Sequence, residues 1–214
     1  MTRFKSLVLD VDSTLSGIEG IDWLAAQRGP DVAAWSTELT QRAMNGEIPI
    51  EAVYGERMRA VQPRKTEIEK LADLYVEHIA PGALEAFDDF RAHDIDLVMV
   101  SGGLREAILP LAKVLGVASD HLHAVSIYFD DEGRYSGFEE SSLMTRQDGK
   151  RIAVDALGLA GPILAVGDGM TDTAIKPVVD AFAAFTGFAR RGPVVEQADF
   201  VLDNFDQLRA LVLT

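Results

Sequence analysis

Phe4-Lys5-Ser6-Leu7-Val8-Leu9-Asp10-Val11-Asp12-Ser13-Thr14 is the stretch on which the fold turns. A short run rich in Leu and Val, closed by an acid, reads as a strand buried on both faces, as a parallel sheet requires. Side chains two apart in an extended segment share a face, so Asp10 and Asp12 can point into one site. Two later stretches repeat the pattern of a buried strand ending in polar groups. Ile95 to Val100 runs into Ser101-Gly102-Gly103, and Ile163 to Val166 runs into Gly167-Asp168-Gly169-Met170-Thr171-Asp172.

Between the first strand and Pro81-Gly82 the pattern is helical. Pro30 can open one helix and Asn45-Gly46 close it. Pro49 to Val61 reads as a second, and Thr66 to His78 as a third, with Thr66 and Glu69 as its capping box. From Pro81 onward strand and helix alternate, with helices over 83–93 and 104–115. Short strands follow at Ala181–Phe185 and Phe200–Leu202, and an amphipathic helix at Phe205–Leu213. Val125–Phe129 and Tyr135–Phe138 read as a hairpin joined through Asp130-Asp131-Glu132-Gly133. The expected architecture is α/β: a Rossmann-like parallel sheet with helices on both faces, built from residues 1–15 and 80–214. Residues 16–79 form a small helical cap inserted after the first strand.

Ligands in open α/β sheets bind beyond the carboxyl ends of the strands, which is where these polar groups fall. Asp168 joins Asp10 and Asp12 to make three carboxylates, and like charges this close require a cation or a proton between them. Hard oxygen ligands in small number point to Mg²⁺, which keeps several waters and shares a substrate's phosphate.

Composition narrows the partners. In 214 residues, 34 acids against 20 bases leave a charge of −14, which opposes nucleic acid and anionic membrane surfaces. Apolar residues at 48% imply a real core, while no apolar run approaches the roughly 18 residues of a membrane span. The Met-Thr-Arg-Phe-Lys start, with Asp10 interrupting the apolar stretch, does not read as a signal peptide. Cysteine is absent, which removes disulfides and thiolate chemistry and fits a cytoplasmic location.

The motifs together resemble the haloacid dehalogenase superfamily of phosphohydrolases. Asp10-Val11-Asp12-Ser13-Thr14 is similar to its first motif, Ser101 to its second, Lys150 to its third, and Gly167-Asp168-Gly169-x-x-Asp172 to its fourth. Within the superfamily the chain most resembles the phosphoserine phosphatase family, through Asp-x-Asp-Ser-Thr, Glu19, Arg57 in Gly-Glu-Arg-Met, Ser-Gly-Gly and Asp-Gly-Lys. The resemblance implies that Asp10 is the nucleophile, forming an aspartyl phosphate, and Asp12 the general acid and base, its pKa raised by neighbouring carboxylates. It implies Mg²⁺ on the Asp10 and Asp168 carboxylates and the Asp12 carbonyl. Ser101, the Gly102 amide and Lys150 would hold phosphoryl oxygens, with Thr171 a further substrate contact and Asp172 in support. In the cap, Glu19 would receive an ammonium, Arg57 would grip a carboxylate, and Met44 would form an apolar wall. Phosphate, amine and carboxylate on one small molecule describe phosphoserine.

Other readings weigh less. Transfer to homoserine instead of water, or action on another small phosphomonoester, keeps the same chemistry. A phospho-accepting receiver domain uses similar residues but places its Asp on the third strand and carries no cap. A calcium loop starting at Asp10 meets Leu15 where it needs Gly and Ile21 where it needs Glu. Gly167-x-Gly169 is half a dinucleotide fingerprint, completed by Asp172 where Gly belongs. His121 and His123 read as loop residues; Arg190-Arg191 stands where it can reach the site from a strand end, but such a pair is more often solvated.

Overall fold

Leu7, Val8 and Leu9 are sealed from solvent because β1 (Ser6–Leu9) is flanked on both sides. The computed structural model describes residues 2–213; Met1 and Thr214, the outermost residues of the two expected core segments, lie outside them. After β1 come four helices, α1 (Gly20–Ala26), α2 (Pro30–Met44), α3 (Tyr54–Val61) and α4 (Lys65–Glu77). Then follow α5 (Ala83–Ala92), β2 (Asp96–Leu104), α6 (Arg105–Val114), β3 (Leu122–Val125), β4 (Ile127–Phe129) and β5 (Tyr135–Phe138). The chain continues with α7 (Gly149–Leu157), β6 (Ile163–Gly167), α8 (Met170–Thr173), β7 (Ala181–Phe185), α9 (Gly192–Val195), β8 (Phe200–Leu202) and α10 (Phe205–Val212).

Six strands make one parallel sheet in the order β3-β2-β1-β6-β7-β8, and β4 and β5 form a separate antiparallel pair. From β1 the chain builds outward in one direction through β2 and β3, and in the other through β6, β7 and β8. With right-handed crossovers this clothes both faces with helices, and it opens a crevice where the order reverses, between β1 and β6. Leu9 stands level with Met99 on one side and Val166 on the other, so the residues that follow β1, β2 and β6 meet there. Phe87, Phe90, Phe182, Phe185 and Phe205 are fully buried, with the Phe205 ring tilted against those of Phe185 and Phe87 at centroid distances of 5.3 Å and 6.2 Å. Each such side chain contributes roughly 1.5–3 kcal/mol by leaving water.

The helical block leaves the sheet through a paired neck: Ser16 bridges Ile79, the Gly17 amide donates to the His78 carbonyl, and the Ala80 amide to that of Leu15. Pro30 is the first residue of α2, and Asn45 and left-handed Gly46 (φ 78°) end it. The expected helix over 49–61 divides into a short turn at Ile50–Ala52 and α3 from Tyr54. α4 starts earlier than Thr66 predicts. Arg64 is extended behind Pro63, and its amide donates to Glu67 Oε2 at 2.7 Å, so the cap sits at Arg64 and Glu67.

Three further differences concern β2, the hairpin and α7. β2 continues through Ser101-Gly102-Gly103 to Leu104, with a register irregularity against β3 between Val100 and Leu104. The expected first hairpin strand is two elements: β3 ends at Val125 on the edge of the parallel sheet, placing His123 in a strand, and the hairpin begins at Ile127. α7 has no counterpart in the sequence reading. Among the described residues no helix is long and apolar enough to cross a membrane.

Candidate active site

Asp10 extends the ladder of β1 by one step, its amide donating to the Val166 carbonyl at 3.0 Å, which plants its carboxylate in the crevice. There Lys150, at the start of α7, donates to Asp10 Oδ1 at 2.6 Å and to Asp172 Oδ1 at 2.6 Å. All three side chains are buried. Burial alone would pull the Lys150 ammonium down; Asp10 and Asp172 more than offset it, so it stands above its ordinary value and stays charged. Burial, then the charge of Asp10, pushes Asp172 up to about 7, against the hydrogen bonds of Lys150 and of the Gly169 amide (2.9 Å).

Asp12 turns the other way. Its Oδ1 accepts from the Gly20 amide and from the Tyr75 hydroxyl, both at 2.7 Å, and its Oδ2 accepts from Ser101 Oγ at 3.1 Å. Its carboxyl is raised, first by burial and then by Asp10; the three hydrogen bonds oppose the rise. The sequence predicts this rise from neighbouring carboxylates alone; burial is the larger cause. Ser13 takes a left-handed turn (φ 53°), and its hydroxyl donates to Glu19 Oε1 at 2.7 Å. Burial and the charge of Asp12 push Glu19 up to about 7, opposed by Ser13 and Arg191.

Arg191 is no solvated surface residue. It lies against Asp168 Oδ2, and its Nη2 stands 3.5 Å from Glu19 Oε1, so one guanidinium joins the end of β6 to the helical block. The pair's place after a strand end allows it to reach the site, as the structure shows for Arg191, but nothing in it points to Glu19, 172 residues away. Tyr54 and Tyr75 also escaped the sequence reading. Tyr54 donates to the Gly102 carbonyl at 2.9 Å, and both rings are buried among helical apolar positions, where hydroxyl and ring look alike in sequence.

One cavity gathers these groups. It is lined by Asp10, Asp12, Gly102, Lys150, Asp168 and Thr171 from the sheet side of the chain and by Glu19, Met44, Tyr54 and Arg57 from the helical block that follows β1. Met44 packs on Gly169: a Cβ there would meet its sulfur at 2.6 Å. Arg57 is buried, with Nη2 donating to Asp22 Oδ1 at 2.7 Å and Nε to Ser36 Oγ at 3.1 Å. Ser101 and Asp172 are not part of the cavity wall; the Ser101 hydroxyl is spent between Asp12 and the Gly103 amide. Arg146 lines the wall without having been anticipated.

The carboxylates suit a cation. Asp10, Asp168 and Asp172 each offer an oxygen within 4.8 Å of the others, and buried Asp168 Oδ2 receives no hydrogen bond, only the nearby charge of Arg191. Asp172 is already committed to Lys150 and Gly169. The oxygens of Asp12 are engaged with Gly20, Tyr75 and Ser101, which leaves its main-chain carbonyl for any ion.

The model of the haloacid dehalogenase-like hydrolases matches residues 7–175. A chloroplastic phosphoserine phosphatase of Arabidopsis thaliana is 34% identical, over 95% of this chain and 70% of its own length. A phosphoserine phosphatase of Bos taurus is 31% identical, over 95% and 91% respectively. Among solved structures, a phospho-aspartyl intermediate analogue of a phosphoserine phosphatase superposes with a TM-score of 0.83, covering 97% of this chain and 98% of that one at 22% identity.

Proposed function

Since this chain belongs to the haloacid dehalogenase-like hydrolases, and among them to the phosphoserine phosphatases, we propose that its cavity hydrolyses O-phosphoserine with Asp10 as nucleophile and Asp12 as acid and base. The protein is a phosphoric monoester hydrolase. The observation that carries the residue assignment is the cavity itself. Asp10, Asp12, Lys150, Glu19 and Arg57 all line it, a set that supports a small ligand bearing phosphate, amine and carboxylate.

In the first step an oxygen of Asp10 attacks phosphorus, the bond from phosphorus to the seryl oxygen breaks, and Asp12 gives that oxygen its proton as serine leaves. In the second, water attacks the phosphorus of the aspartyl phosphate and gives its proton to Asp12. The bond to Asp10 breaks, and phosphate leaves with Asp10 restored as a carboxylate. The raised carboxyl of Asp12 supports a proton being present for the first step. Lys150 holds the Asp10 carboxylate in place through its hydrogen bond and carries positive charge beside the transferred group. The Ser101 hydroxyl and the Gly102 amide supply further donors once a phosphoryl group draws Ser101 from Asp12. Thr171 on the cavity wall adds another contact, and Asp172 orients Lys150.

Asp10, Asp168 and the Asp12 carbonyl would hold Mg²⁺, whose charge offsets the repulsion between the Asp10 carboxylate and a phosphate dianion. Glu19 receives the substrate ammonium and Arg57 its carboxylate, with Met44 as the apolar wall beside them. Residues 16–79 act as a cap over the core, and the cysteine-free composition supports a cytoplasmic setting.

Phosphate release tests this reading, measured with Mg²⁺ and with EDTA on phosphoserine, phosphothreonine, phosphoethanolamine and sugar phosphates. Preference for phosphoserine, lost with EDTA and in Asp10→Asn, is expected. Activity surviving in Asp10→Asn overturns the nucleophile, and preference for a sugar phosphate overturns Glu19 and Arg57 as the specificity pair.

A further inference from the structure

One carboxylate oxygen ties three helices together beside the cavity. Asp22 Oδ1, on α1, accepts from Ser36 Oγ at 2.6 Å and Thr40 Oγ1 at 3.0 Å, both on α2, and from Arg57 Nη2 at 2.7 Å, on α3. The Ser36 hydroxyl in turn accepts from Arg57 Nε at 3.1 Å. Ser36, Thr40 and Arg57 are buried. Arg57 is thereby gripped along one edge of its guanidinium, and its Nη1 holds no hydrogen bond among the described residues while the side chain lines the cavity. Arginine is a long, many-rotamer side chain, and a planar fork recognises a carboxylate only when its plane and edge are fixed beforehand.

We propose that Asp22 is a positioning residue for substrate recognition: it fixes the Arg57 guanidinium so that the remaining edge meets the substrate carboxylate. This rests on the reading of Arg57 given above. Asp22 touches no substrate and takes no part in phosphoryl transfer, so its influence falls on binding. A merely structural staple of three helices would act differently, since loosening the block would disturb Glu19 and the nucleophile side as well.

The test is a double-mutant cycle on phosphoserine hydrolysis with wild type, Asp22→Ala, Arg57→Ala and the double variant. Asp22→Ala is expected to raise KM about tenfold with kcat within about twofold. In the Arg57→Ala background it is expected to cost nothing further, because there is no guanidinium left to place. Asp22→Asn, which keeps an oxygen acceptor at the same point, is expected to recover part of the loss. Additive losses, or a fall in kcat at unchanged KM, overturn the proposal. If Arg57→Ala raises KM while Asp22→Ala does not, the positioning role fails and the reading of Arg57 stands. If Arg57→Ala leaves KM unchanged, that reading falls and takes this one with it. Should Asp22→Ala not yield folded protein, the cycle is run with Asp22→Asn: a smaller rise in KM that vanishes in the Arg57→Ala background supports the proposal, and an additive loss or an unchanged KM overturns it.

Discussion

The Tyr75 hydroxyl, carried on α4, donates to Asp12 Oδ1 at 2.7 Å, beside the Gly20 amide that donates to the same oxygen at the same distance. Both acceptor positions of Oδ1 are therefore occupied, which leaves Oδ2 as the oxygen for exchange with a leaving group or water. Tyr75 does not line the cavity. Asp12 becomes a carboxylate only as it gives its proton to the leaving oxygen, so replacing Tyr75 by Phe removes a donor to the form that this step generates, without touching substrate. A hydrogen bond to a charged partner contributes about 1.5–3 kcal/mol, so kcat is expected to fall at least about tenfold with KM nearly unchanged. Steady-state kinetics of Tyr75→Phe on phosphoserine check this, and an unchanged kcat sinks it.

Glu19 offers a pH signature. Its carboxyl is raised to about 7, chiefly by burial, and the proposed ammonium partner favours the ionised form. Binding therefore requires deprotonation below that value, and KM for phosphoserine is expected to rise as pH falls through about 7, up to about tenfold per unit. The substrate's own phosphate titrates near about pH 6, so the comparison is with Glu19→Gln, which shares that titration. Parallel KM profiles for the two proteins would falsify the assignment of Glu19 to the ammonium.

What the sequence revealed and what it concealed have physical reasons. Leu7 to Leu9 and Leu97 to Val100 were readable because strands buried on both faces are unbroken apolar runs. β3 was hidden because Leu122-His123-Ala124-Val125 is short and carries a histidine, and it runs almost directly into the hairpin. α7 does carry a helical signal, with Ile152, Val154 and Leu157 before the left-handed Gly158 (φ 60°), but Asp148-Gly149-Lys150 reads first as a motif. Asp10, Asp12 and Asp168 stand at strand ends, where position alone suggests chemistry. Tyr54 and Tyr75 reach the site only through long-range packing, and no local pattern marks them; Arg191 stands after a strand end, but its partners are not legible in the dibasic pair.

Arg28 and Glu67 give a stability test away from the chemistry. Arg28 Nη1 donates to Glu67 Oε1 at 2.8 Å, Nη2 pairs with Oε2, and Nε donates to the Val61 carbonyl at 2.6 Å, clamping the end of α1 to the ends of α3 and α4. The Arg28 hydrogen bonds hold the Glu67 carboxyl below its ordinary 4.5. A carboxyl depressed by folding stabilises the protein above its unfolded value, and that stability is lost as pH falls through the folded one. Glu67→Gln is therefore expected to cost about 1 kcal/mol at neutral pH and progressively less below about 4.5. Urea unfolding at a series of pH values measures it, and a cost that does not shrink in acid rejects the pairing as its origin.

Gly103 separates packing from site geometry most sharply. A Cβ there would stand 2.8 Å from Asp12 Oδ2, 2.9 Å from Ile108 Cδ1 and 3.0 Å from Ser101 Oγ. Its backbone lies outside the left-handed region, so Gly103→Ala brings no conformational strain and acts through those three contacts. Ile108 can yield by a small side-chain shift, at an overpacking cost of about 1–3 kcal/mol. Asp12 and Ser101 can yield only by giving up their mutual 3.1 Å hydrogen bond, which displaces the proposed acid and a phosphate donor together. Gly103→Ala is therefore expected to remain folded with a lowered melting temperature, and to lose at least about a hundredfold in kcat, the equivalent of about 2.7 kcal/mol. Near-wild-type turnover in the folded variant would show that Asp12 Oδ2 and Ser101 need not occupy these positions, and would remove the basis for assigning proton transfer to that oxygen.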